Sequence, residues 1–112
     1  MTFFTVSELP GTEMLPGIMR RAVYLDNVMI TFFDFEPNTV VPEHSHPHEQ
    51  TGYLVSGRMK FIVGDESFEA GPGDSWCLPG HVPHAAEVLE DSVMVEVFSP
   101  LRDDYLELDA LR

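Results

Sequence analysis

A chain of 112 residues, 44% hydrophobic and 22% charged, suffices for one domain with one core and is too apolar for a disordered segment. Six basic against nineteen acidic side chains give a net charge of -13 at pH 7, which repels nucleic-acid phosphates and anionic lipid surfaces. The longest unbroken apolar run, Ala22 to Leu25, falls far short of the roughly 20 residues that span a bilayer; no basic residue precedes Arg20 to begin a secretion signal, and Cys77 has no disulfide partner, so the expectation is a cytoplasmic protein.

Nine prolines and eight glycines leave little room for a long helix. Short runs rich in Val, Phe, Ile and Tyr recur at intervals of about 8 to 12 residues, which predicts an all-β fold, an antiparallel barrel or sandwich. Phe3, Phe4 and Val6 alternate imperfectly and suit an edge strand or a subunit contact. Strands follow at Ala22 to Leu25 and Val28 to Phe35, with turns at Asp26 and Asn27 and at Glu36 to Thr39. Gly52 to Val55 and Arg58 to Val63 form a hairpin through Ser56 and Gly57, and Gly64 and Asp65 turn the chain into Ser67 to Ala70. Ser75 to Leu78, Ala85 to Leu89 and Ser92 to Phe98 complete about eight strands. In the last of these Met94, Glu96 and Phe98 share one face. Leu101 to Arg112 lacks a wide apolar stripe and reads as a C-terminal tail or one helical turn. Cys77 is expected in the core, Trp76 and Tyr53 in barrel packing, and Arg58 and Lys60 in solvent.

Three of the five histidines, His44, His46 and His48, lie within five residues. On an extended segment side chains two apart face the same way, so His44 and His46 can meet one ion, and Gln50 has the parity to add an oxygen. The plain alternative is a solvated His-rich loop; on spacing alone His48 and Glu49 also stay open as ligands.

The run His44-Ser45-His46-Pro47-His48-Glu49-Gln50, with Gly52 and Gly57, resembles the first motif of the cupins. Gly73-Asp74, Pro79 and His84 resemble the second. The resemblance implies a single cupin domain over 1-112, a β-barrel of two packed sheets, and a divalent transition metal (Zn, Ni, Fe or Mn) held by His44, His46, Gln50 and His84, with His48 and His81 beside the site or at its rim. Gln50 stands where many cupins carry glutamate. Four neutral ligands leave the +2 charge uncompensated, which strengthens the Lewis acid and disfavours an iron oxygenase that needs a carboxylate ligand.

The segment Glu96 to Leu106 is similar to the cupins that open unsaturated uronates released from pectin and alginate. That likeness implies a catalytic set of Glu96, Phe98 and Arg102, although the family pattern has aspartate where Glu96 stands. Arg102 would clamp a sugar carboxylate and Glu96 would move a proton during enol-to-ketone conversion; the plain alternative for Arg102 is a surface cation paired with Asp103 or Asp104. The expected ligand is a small anionic sugar or acid, and small cupins of this kind pair as homodimers. A cupin that binds such an acid without turnover is the alternative.

Overall fold

The computed structural model describes residues 1–110. It contains a short 3-10 turn at Val6–Glu8, ten strands and one helix. The strands are β1 (Thr12–Leu15), β2 (Ile18–Tyr24), β3 (Met29–Phe35), β4 (Val40–His44), β5 (Glu49–Ser56), β6 (Met59–Val63), β7 (Glu66–Ala70), β8 (Ser75–Leu78), β9 (His84–Val88) and β10 (Ser92–Ser99). The helix α1 spans Asp103–Ala110. Six strands form one sheet in the order β1-β2-β3-β10-β5-β8, and four form the other in the order β4-β9-β6-β7. All pairings are antiparallel, so the all-β sandwich expected from the turn spacing is what forms.

Alternation drives the packing. Along β10 Ser92, Met94, Glu96 and Phe98 are buried while their neighbours turn outward. Along β3 Met29, Thr31, Phe33 and Phe35 do the same, and these rows meet Leu54, Met59 and Val88 between the sheets. Gly57 turns the β5–β6 hairpin at φ +95, a conformation costly for a residue with a Cβ, and a Cβ there would strike Ser92 and the Asp91 carbonyl.

Several expectations are corrected. Two edge strands, β1 and β4, were not anticipated: β1 is four residues between Gly11 and Pro16, and β4 contains Pro42, which interrupts its register with β9 between Val41 and His44. Proline is tolerated there because β4 lies at a sheet edge. The N-terminal Phe3 and Phe4 are exposed and belong to no strand. Cys77 is exposed, not core, because β8 turns Trp76 and Leu78 inward and Ser75 and Cys77 outward. Tyr53 likewise lies on the outer face, whereas Trp76 packs against Phe61 with ring centroids 4.5 Å apart.

The largest correction is at the C-terminus. The segment read as a tail or one turn is the eight-residue helix α1, packed on the barrel through buried Tyr105; Leu111 and Arg112 lie outside the described residues. Its anchor is Arg20 of β2, 1% exposed, which pairs with Asp109 at 2.5 Å, donates to the Tyr105 carbonyl at 3.5 Å and lies 4.3 Å from the Tyr105 ring centroid. Thr12 adds a 2.9 Å hydrogen bond to Asp109. Arg20→Met is expected to destabilise the protein by about 2 kcal/mol, less than a fully buried pair costs, because Asp109 keeps some contact with water. Thermal unfolding checks this, and an unchanged melting temperature contradicts the anchor.

Candidate metal centre and adjoining cavity

His44 closes β4 and His84 opens β9, and the two are paired in register across that ladder. His46 stands in the connection from β4 to β5, which is tied to the β8–β9 connection by the His81 N–H donating to the His46 carbonyl at 2.7 Å. Gly80 allows that approach, since a Cβ there would collide with the Pro47 carbonyl. One ring nitrogen each from His44, His46 and His84 lies within 4.8 Å of the others. The convergence does not come from a shared strand face as anticipated: β4 ends at His44, residues 45–48 belong to no strand, and β5 begins at Glu49. A loop and a β bulge bring the rings together.

The donor set fits a metal ion. His44 Nδ1 donates to the Pro42 carbonyl at 2.9 Å and His84 Nδ1 to the Val82 carbonyl at 2.8 Å, which fixes both tautomers with Nε2 as the lone-pair nitrogen. His84 Nε2 and both ring nitrogens of His46 are buried with no hydrogen-bond partner. Burial, reinforced by Arg102 and the neighbouring rings, holds the His46 pKa down at about 4, and burial likewise lowers that of His84. Both shifts favour the neutral imidazole that metal ligation requires. Gln50 donates through Nε2 to Glu96 Oε2, which leaves its Oε1 buried and without a partner.

His48 is not in the cluster. Its Nε2 donates to the Leu101 carbonyl at 3.0 Å, bracketing the histidine loop to the segment that carries Arg102. His81 is exposed, and Glu49 faces away from buried Gln50 on β5.

Beside the histidines an internal cavity of about 290 Å³ opens between the sheets, lined by His44, His84, Gln50, Glu96, Phe98 and Arg102 at its polar end and by Met14, Phe33, Met59 and Met94 elsewhere. Glu96 is 6% exposed. Burial lifts its pKa to about 7, against the pull of hydrogen bonds from Trp76 and Gln50 and of the Arg102 charge. A carboxyl near neutrality can both give and take a proton there. Gly52 leaves room for the Trp76 indole that donates to Glu96, since a Cβ would overlap that ring.

Arg102 is 7% exposed and is the one permanent cation among the described residues lining the cavity. Its guanidinium lies 5.1 Å from the Phe98 ring centroid. One edge of the guanidinium fork is occupied, Nε and Nη2 donating to Asp104 at 3.0 and 2.7 Å. Of the two carboxylates the sequence offers as partners for Arg102, Asp103 and Asp104, it is Asp104 that pairs, while the ring of Tyr105 against the guanidinium has no signal in the sequence beyond proximity.

Two packed antiparallel sheets with a histidine cluster between them are the architecture of a cupin, and residues 31–99 match the family model described as a cupin domain. The chain belongs to this family. Within it the chain is similar to KdgF from Halomonas sp., whose structure superposes with a TM-score of 0.87 at 34% identity over 93% of this chain and 99% of that one. It is also 28% identical, over 93% of its length and 97% of the relative's, to the pectin degradation protein KdgF of Dickeya dadantii (strain 3937). An RmlC-like cupin from Shewanella frigidimarina NCIMB 400 shares the fold, with a TM-score of 0.88 at 24% identity over 94% of this chain and 96% of that one.

Proposed function

We propose that this cupin opens the ring of a 4,5-unsaturated uronate and tautomerises it to a linear keto-deoxy-uronate. The observation that carries the reading is one cavity lined by His44 and His84 of the metal-ready histidine cluster, by a carboxyl that titrates near neutrality and by one permanent cation. The similarity to the two KdgF proteins supports it. A divalent transition metal (Zn, Ni, Fe or Mn), held by His44, His46, His84 and Gln50, would supply a Lewis acid for the substrate oxygens.

The remaining work falls to the chain's own residues. Arg102 takes the substrate carboxylate, and Phe98 covers the guanidinium face and keeps water from it. Ring opening breaks the C1–O5 bond, turns C1 into an aldehyde and leaves C5 as an enol. Glu96 delivers a proton to C4 while the enol oxygen loses one, so C4=C5 becomes CH2 beside a ketone. The net change moves one proton from the C1 hydroxyl to C4, with no change of formula.

Metal-loaded protein incubated with a 4,5-unsaturated monouronate is expected to abolish the C4 vinyl signal in proton NMR, and prior chelation is expected to stop the reaction. Failure of the fully metallated protein to turn over any such uronate overturns the enzyme reading and favours a cupin that binds a small acid without converting it. Arg102→Ala is expected to raise KM roughly 10- to 100-fold with little change in kcat, as loss of a charged hydrogen bond present in the ground state does. The single unpaired thiol and the acidic composition suit a cytoplasmic setting.

A homodimer using the N-terminal segment is part of the same proposal. Phe3 is 82% exposed and Phe4 is exposed beside it, apolar surface that a second copy would cover. Light scattering at micromolar concentration is expected to give twice the chain mass, and a monomeric mass overturns it.

A further inference from the structure

We infer that Asp104 is a positioning residue for substrate recognition: it clamps the Nε–Nη2 edge of the Arg102 guanidinium so that the Nη1–Nη2 edge is left to meet a ligand carboxylate. The inference rests on the proposal that Arg102 binds the uronate carboxylate, and it adds how that arginine is held.

Asp104 fixes the guanidinium in its plane through two hydrogen bonds, at 3.0 and 2.7 Å. The Phe98 and Tyr105 rings lie against it, with centroids 5.1 and 4.2 Å away. Asp104 itself sits in the first turn of α1, where the helix dipole favours a carboxylate. That helix is in turn fastened by Arg20, whose guanidinium lies 4.3 Å from the same Tyr105 ring and pairs with Asp109. The chain of contacts therefore runs from β2 through α1 to the plane of Arg102.

Nη1 makes no hydrogen bond among the described residues. Arg102 and Asp104 are also the two residues that line both the internal cavity and the shallower depression outside His46 and His48, so they stand at the partition between them. A long side chain at such a partition has several rotamers to lose on binding, and a carboxylate holding one edge removes that cost before the ligand arrives. The pairing also offsets part of the Arg102 charge. If that competition dominated, removing Asp104 would tighten binding, so the two effects have opposite signs.

The test is a double-mutant cycle of Asp104→Ala and Arg102→Ala in metal-loaded protein, read both as KM and kcat for an unsaturated monouronate and as equilibrium binding of galacturonate, a stable saturated uronate. Asp104→Ala alone is expected to raise KM and weaken galacturonate binding about tenfold, with kcat within about twofold. In the Arg102→Ala background it is expected to add nothing, because its effect passes through that arginine. Tighter binding, an unchanged KM, or effects that add in the double variant overturn the inference while leaving the proposed reaction standing if wild type turns over. A wild type that binds galacturonate through a non-additive pair but turns over no uronate keeps Asp104 in its role and removes the reaction. A wild type that neither binds nor turns over a uronate overturns both.

Discussion

His46→Ala is expected to abolish stoichiometric metal, whereas His48→Ala should leave most of it. Both ring nitrogens of His46 are buried without a partner, in the cluster with His44 and His84. His48 donates through Nε2 to the Leu101 carbonyl and, although its Nδ1 is also buried without a partner, belongs to no ligand cluster among the described residues. Loss of a ligand removes a coordinate bond; loss of a bracing residue weakens affinity about 10- to 100-fold, which still leaves metal bound when it is supplied in excess. Elemental analysis of the two variants distinguishes the roles, and equal metal loss in both contradicts the assignment.

Glu96→Gln is expected to lower kcat by roughly 10²- to 10⁴-fold, the usual worth of a positioned proton-transfer group. The amide keeps the volume and one acceptor for the donors on Gln50 and Trp76, so the barrel should hold its shape. What it lacks is the titratable proton that burial keeps available near pH 7. Hydrogen bonds from Gln50 and Trp76 fix one carboxyl oxygen of Glu96 inside the barrel. Steady-state kinetics of the metallated variant give the answer, and unchanged turnover assigns the proton to another group.

Much of this site was legible because its residues obey short-range rules. The alternation of β10 placed Glu96 with Met94 and Phe98, and all three are buried on the same face. The density of histidines in the β4–β5 connection announced a ligand cluster, although the geometry that gathers them is a loop rather than a strand. Pro42 concealed β4, since proline inside a run argues against a strand unless the run lies at an edge, and edge position is a property of the whole sheet.

The helix α1 was hidden for a different reason. What holds Tyr105 and Asp109 in place is Arg20, on a strand far away in sequence, and a basic residue within a strand normally signals a solvent face. Its burial becomes intelligible only when the carboxylate of Asp109 and the ring of Tyr105 arrive from the other end of the chain. The same distance effect concealed the Gln50–Glu96 contact, which joins two strands whose pairing no local pattern specifies.

If a residue of this chain places the proton on C4 inside a chiral cavity, the stereochemistry of the product formed in D2O records it. Metal-loaded wild type turning over a 4,5-unsaturated monouronate in D2O is expected to give early product with one deuterium at C4, in a single configuration, by NMR. Deuterium divided equally between the two C4 positions would mean that the enol leaves the protein and ketonises in solution, and would contradict the account.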